Sequence, residues 1–223
     1  MRMLIRFGKN ARLRFISHLD LQRFFQRALN RTDLPIAFSQ GFNPHPIMSF
    51  GSALAMGWTS EYEIVDVKLA VPIGRGRAEA AMRAALPEDL PILQVKMIDD
   101  RHPAPMAQVR AADYRVTFED QAAREAVFTA IPGFLAEETV MALRKTKSGE
   151  KSVNIRPLAI QIHTEGEALL LRLMLTEKDT LKPDLLVRTL AEMGGIEAPE
   201  ARIHRLCLLG EDKDGKLTEL MSL

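Results

Sequence analysis

The chain has 223 residues, 47% of them hydrophobic and 26% charged, with a net charge of +1 and a single cysteine. That is ordinary globular composition, enough for one large domain or two of roughly 100 residues each. One cysteine excludes an internal disulfide and any Cys-rich zinc or iron–sulfur centre. No apolar run has the form of a signal peptide or reaches the ~18 residues of a membrane span, so a cytoplasmic protein is expected.

The near-neutral charge hides an asymmetry. Residues 1–60 hold eight Lys/Arg (Arg2, Arg6, Lys9, Arg12, Arg14, Arg23, Arg27 and Arg31) against Asp20 and Asp33. That balance is +6 and leaves −5 for the other 163 residues. A basic end on a neutral chain is a possible polyanion-binding face, or simply a solvated surface.

In chain order, residues 3–7 read as a short apolar strand and Gly8-Lys9-Asn10 as a turn. Arg12 and Arg14 then alternate with Leu13 and Phe15, which predicts an extended return with both arginines on its polar side. Ser17 predicts a helix N-cap, with Asp20 in the capping-box position three residues on. Leu21, Phe24, Phe25, Ala28 and Leu29 form the apolar stripe of that helix. Arg23, Arg27 and Arg31 lie opposite at i, i+4 spacing, on a face without acids. Pro35 ends the helix. Residues 35–38 are a strand candidate and 40–46 a loop holding Gly41, Asn43, Pro44, His45 and Pro46. Residues 48–70 predict a long strand, or a bent pair with Gly51 and Gly57 as bend points. A helix over 77–86 and a strand over 90–98 complete the order strand, helix, strand, strand, helix, strand.

Residues 101–110 read as a linker, after which the order repeats. Strands are predicted at 114–118, 139–143, 152–162, 168–175 and 201–209. Helices are predicted at 121–131, closed by Pro132-Gly133, and at 183–193, opened by Pro183. The expected architecture is α+β: two tandem ferredoxin-like (βαββαβ) domains over 1–100 and 111–210, with antiparallel sheets and helices on one face. Residues 211–223 are expected to be a polar tail. Cys207, in an apolar strand, is expected to be a buried inert thiol.

The chemistry-bearing residues gather in 14–50. His18, Asp20 and His45 are titratable groups of the kind that serve as acid–base partners, but Asp20 has a capping role and a metal site needs more ligands than these. A histidine that only hydrogen-bonds its own loop is the plainer alternative. Ser39, Phe42, Asn43 and Ser49 offer polar and aromatic contacts beside Arg14, Arg23, Arg27 and Arg31, a combination suited to unpaired RNA bases and their phosphates. Of the nearby rings, Phe38 and Phe50 are expected in the core. Further on, Arg144, Lys145, Lys147, Lys151, Asn154 and Arg156 surround a predicted hairpin turn, either a finger for nucleic-acid backbone or a lysine-rich exposed turn. There is no P-loop, GxSxG elbow or HExxH motif.

Arg14-Phe15, Ser17-His18-Leu19-Asp20, Arg23, Arg27-Ala28, Leu34-Pro35, Ser39, Gly41-Phe42, Pro44-His45-Pro46 and Ser49-Phe50, continuing to Ser60-Glu61, resemble the radical SAM-linked (radical SAM-associated) protein family, a bacterial domain of unknown function. Weaker agreement in VNIRPL, Lys182-Pro183 and Arg205 extends the resemblance over nearly the whole chain. The family favours a lysine after Pro-His-Pro, where this chain has Ile47. The resemblance implies a protein encoded beside, or fused to, a cobalamin-binding radical SAM protein, in a setting of RNA modification. It assigns no catalytic residues.

Radical SAM chemistry needs a cluster held by three cysteines, so this chain is not the radical enzyme. Iron–sulfur cluster, SAM and cobalamin are expected only in the partner; no metal or cofactor is expected here. The leading expectation is an accessory protein that binds tRNA or rRNA for that partner. The alternatives are a metal-independent RNA-processing endonuclease using His18 or His45, and a protein-interaction module whose uncharged stretch 34–60 docks the partner.

Overall fold

The computed structural model describes residues 1–146 and 149–223. Lys147 and Ser148 lie outside the described residues, as do the side chains of Lys145 and Thr146. The fold is α+β, with a mixed, mostly antiparallel sheet and five helices among the described residues. The chain divides into two units, Met1–Val109 with Cys207–Leu223, and Arg110–Leu206.

In the first unit, β1 (Arg2–Lys9) lies between β3 (Thr59–Lys68) and β4 (Ile92–Ile98), and β2 (Met48–Phe50) adds to the far side of β3. All three pairings are antiparallel, with Ile5 opposite Val65 and Val95, and Phe50 opposite Val65. Alternation puts Met3, Ile5, Phe7, Val65 and Val67 on one face. There they share a core with Leu21, Phe25 and Leu29 of α1 (His18–Asn30) and with Ala78 and Met82 of α2 (Arg75–Ala85). The ring of Phe7 lies 4.7 Å from that of Phe25 and 6.1 Å from that of Phe50.

Three local expectations change here. The predicted turn at Gly8-Lys9 is the end of β1, and the extended return after it is a 3-10 turn, Ala11–Leu13. The strand expected over 35–38 is reduced to single bridges, Ile36 to Leu69 and Phe38 to Pro46, because Pro35 and Pro46 have no N–H to extend a ladder. The long strand over 48–70 is the bent pair, β2 and β3, with Gly57 at φ +85° in the connection.

The final segment completes this unit. β11 (Leu217–Glu219) pairs with the end of β10 (Ala201–Glu211), and Leu220 and Met221 are buried. The polar tail therefore carries apolar anchors. The Lys96 ammonium donates to the carbonyls of Met221 and Leu223 at 3.1 and 2.8 Å.

In the second unit β9 (Ala168–Met174) lies between β5 (Val109–Phe118) and β8 (Ala159–Glu165), both pairings antiparallel. β6 (Met141–Thr146) and β7 (Gly149–Asn154) form a separate two-stranded hairpin. α4 (Gln121–Ala136) runs through Pro132 instead of ending there, because Val127, Ala130, Ile131 and Phe134 form one i, i+3, i+4, i+7 stripe that is buried. α5 (Pro183–Met193) opens on Pro183 as expected. The short α3 (Pro105–Gln108) occupies the predicted linker.

Candidate functional site

α1 is built as its sequence requires. The Ser17 hydroxyl oxygen accepts from the Asp20 N–H at 3.1 Å and donates to the Asp20 carboxylate at 2.7 Å, closing the first turn. With Leu21, Phe25, Ala28 and Leu29 buried, the outward ridge is Leu19, Arg23, Arg27 and Arg31 at i, i+4 steps, each ~6 Å along the axis. Arg23 pairs with Asp20 at 3.3 Å, and Arg31 donates to the Ala85 carbonyl at 2.9 Å. Arg27 is exposed and has no ion-pair or hydrogen-bond partner among the described residues.

Ahead of the helix, Arg14 is exposed and its guanidinium lies 4.6 Å from the centre of the Phe15 ring. Phe15 and Leu19 are 64% and 62% exposed, so this end of the helix presents apolar surface beside its cations. The reading of Phe15 as an inward residue of an extended segment fails with that segment. Leu19 is a miss that the sequence allowed: it falls off the Leu21–Phe25–Leu29 stripe and onto the Arg23–Arg27 side.

Beneath this surface lies a group that local sequence reading missed. Lys9 is only 2% exposed, paired with Ser60 in the β1–β3 register. Its ammonium donates to the carbonyls of Arg14 and Ile16, each at 3.1 Å, and so fixes the turn that leads into α1. Burial lowers the Lys9 pKa, and the charge of Glu63, itself buried, opposes the shift. His18 packs edge-on against Phe50, with ring centres 5.1 Å apart. Burial, then the neighbouring Lys9 charge, holds its pKa below the ordinary value.

The loop after Pro35 is a closed clamp. The N–H of Ser39 donates to the His45 carbonyl at 2.9 Å, the N–H of His45 donates to the Ser39 hydroxyl at 3.2 Å, and His45 Nδ1 lies 3.0 Å from that hydroxyl and 3.3 Å from the Asn43 carbonyl. Gly41, at φ +121°, makes the turn. Phe42 at the tip is 105% exposed and Phe38 43%, while Phe50 is buried. The expectation of a core place therefore holds for Phe50 and fails for Phe38. Ser49 is exposed on β2 opposite Asp66.

His18 and His45 are not brought together. His18 rests on Phe50, while His45 is held within its own loop by the Ser39 hydroxyl and the Asn43 carbonyl. No hydrogen bond links them, and Asp20 is taken up by the cap. Among the described residues, no group of three or more His, Cys, Asp or Glu is placed to hold a metal ion.

In the second unit the hairpin residues separate into two kinds. Lys151 is exposed on β7, opposite Arg144. Asn154 and Arg156 instead hold the local fold. The Asn154 side-chain carbonyl accepts from the N–H groups of Val140 and Arg156, at 3.0 and 3.2 Å. The Arg156 guanidinium donates to the carbonyls of Ala159 and Leu135 and lies 5.6 Å from the Phe134 ring centre. Of Lys145 only the backbone is described, and Lys147 lies outside the described residues.

A family model described as "Uncharacterized protein conserved in bacteria (DUF2344)" matches residues 2–183. The chain belongs to this family. The matched span contains every candidate residue from Arg14 to Arg156, so the α1 ridge, the Ser39–His45 loop and the hairpin are all parts of the family's domain. No curated protein matches the chain. No helix among the described residues is long and apolar enough to cross a membrane.

Proposed function

We propose that this chain is a cytoplasmic RNA-binding accessory protein, without catalytic activity of its own, that presents tRNA or rRNA to a cobalamin-binding radical SAM partner. The observation that carries the reading is the outward ridge of α1. Three arginines recur at helical spacing, and the Arg14–Phe15 stack stands exposed at the N-terminal end. Cations meet phosphates, and exposed rings and guanidinium planes take unpaired bases. Cluster, SAM and cobalamin belong to the partner, since a single cysteine cannot hold the cluster. The frame is ferredoxin-like in each unit. The β4-β1-β3-β2 order of the first unit supports this, as does the second unit's strand–helix–strand–strand–helix–strand order with the β6–β7 hairpin inserted.

Filter binding of bulk tRNA to the full chain across a salt series tests the reading. Affinity is expected to fall steeply with salt, and Arg23→Ala with Arg27→Ala is expected to lower the log–log slope by about two. Binding that ignores salt, or a double variant that binds like the parent, would overturn it.

A second reading, docking of the partner protein, is favoured by the uncharged loop that holds Phe42 fully in solvent. Its expected outcome is a complex with the radical SAM partner that persists after ribonuclease treatment and is lost on Phe42→Ser.

A further inference from the structure

The hairpin of the second unit has an edge that the RNA reading does not use. The N–H of Ile155 donates to the Val140 carbonyl at 2.9 Å. From there the β6–β7 register runs on as Met141 opposite Asn154, Ala142 opposite Val153 and Leu143 opposite Ser152. Hydrogen-bonded and open pairs alternate along an antiparallel ladder. Val140, Ala142 and Arg144 therefore bond across the hairpin, while Met141 and Leu143 turn their N–H and C=O groups outward. The Arg188 guanidinium of α5 meets one of these groups, donating to the Leu143 carbonyl at 2.5 Å. The N–H groups of Met141 and Leu143 have no partner among the described residues.

A cleft of about 390 Å³ lies along this edge. Its walls are Met141, Ala142, Leu143 and Glu150 of the hairpin and Arg188, Thr189 and Glu192 of α5. Met141 and Leu143 are 56% and 55% exposed, whereas Ala142, between them, is buried. Sheet edges are ordinarily blunted by lysine, proline or a bulge, and Met141-Ala142-Leu143 has none of these. The opposite edge of the hairpin belongs to β7, where Glu150, Lys151 and Ser152 are polar and exposed.

We propose that the β6 edge and α5 form a docking slot for an extended peptide segment of a partner protein. Outward N–H and C=O groups recur every second residue, ~7 Å apart. An extended backbone is the ligand whose own donors and acceptors repeat at that spacing. Arg188 now stands where the incoming N–H would donate. Its Nε lies 3.8 Å from Glu192, which can hold the guanidinium once it leaves the carbonyl. The chemistry of the segment follows from the walls. Residues that come to lie beside Met141 and Leu143 are apolar and alternate along the segment. Glu150 and Glu192 outnumber Arg188, so the charged residues of the segment are basic. The slot goes beyond the RNA reading and does not depend on it.

Fluorescence anisotropy on the full chain, without RNA, tests the slot with a labelled heptapeptide of alternating valine and lysine. Saturable binding is expected. The same peptide with its backbone nitrogens methylated has lost the donors and is expected to bind at least about tenfold more weakly. A valine–glutamate heptapeptide is expected to bind more weakly as well. Leu143→Pro deletes one outward N–H and leaves the bonds to β7 in place, so binding is expected to fall about tenfold with the hairpin intact. Arg188→Met removes the competitor for the Leu143 carbonyl and is expected to tighten binding about threefold, a gain that a damaged fold does not produce. Binding that survives N-methylation or Leu143→Pro, that is as tight for the glutamate peptide, that weakens in Arg188→Met, or that is absent from the parent would overturn the slot. So would a chain that sediments as a dimer and becomes a monomer on Leu143→Pro, since a second copy would then be the occupant. Each of these results leaves the α1 reading standing, because no RNA is present.

Discussion

His18 sits where burial and charge act in the same direction. Desolvation disfavours its cation, and the Lys9 ammonium repels it, so the folded protein holds the ring neutral. Its folded pKa lies below the ordinary 6.5, and between the two values the unfolded chain binds more protons. The stability this contributes is whole above the unfolded pKa and is lost as pH falls through the folded one. His102, lowered by burial and then by Lys96 and Arg2, adds to the loss with the same sign. Thermal melting of the His18→Gln variant should therefore show a smaller drop than the parent between about pH 7 and about pH 5. An equal drop would take His18 out of the acid response. At this scale the Ser17 cap was legible because it is a contact across three residues. The burial of Lys9 was not, because it is set by pairing with Ser60, fifty-one positions away in the chain.

Elements were legible where one periodicity ran uninterrupted, as in α1 and α5, whose cap, stripe and opening proline all agree. They were not where a local signal competed with a distant one. Pro132-Gly133 is a sound stop signal, yet α4 continues to Ala136 and buries Phe134 at 0% exposure. The tertiary contact outweighs a proline that removes one helical hydrogen bond and crowds the preceding turn, at ~3 kcal/mol. Pro132→Ala is thus expected to stabilise the protein by about 1–3 kcal/mol, seen as a rise in the denaturant midpoint at constant slope. A lower midpoint would mean that the helix needs the bend. The loop that carries Phe42 shows the opposite case. Its composition announced a turn, but the Ser39–His45 clamp and the exposure of Phe38 depend on how two ends of one loop meet.

At the scale of the molecule, the first unit is assembled from two stretches of chain, Met1–Val109 and Cys207–Leu223, with Arg110–Leu206 between them. Composition marks linker-like stretches, but not that a segment returns about a hundred residues later. Such a return costs closure entropy that grows only with the logarithm of the intervening length, so a few well-made contacts can offset it. Tyr62 is one of them. Its ring lies 4.1 Å under the Arg6 guanidinium, and its hydroxyl accepts from the Met221 N–H at 3.0 Å and donates toward Glu219 at 3.5 Å. Burial raises the phenol's pKa well above the ordinary value, so the hydroxyl stays protonated and keeps both roles throughout the neutral range. Tyr62→Phe retains the ring and its packing but leaves the buried Met221 N–H without its acceptor, a loss of about 1–3 kcal/mol. If that contact ties the returning segment down, amide exchange at Leu220 and Met221 should accelerate in the variant more than exchange in the β1–β3 ladder. Acceleration of equal size in both would show that the segment opens only with the whole unit. Unchanged exchange at Met221 would mean that the hydroxyl does not hold it.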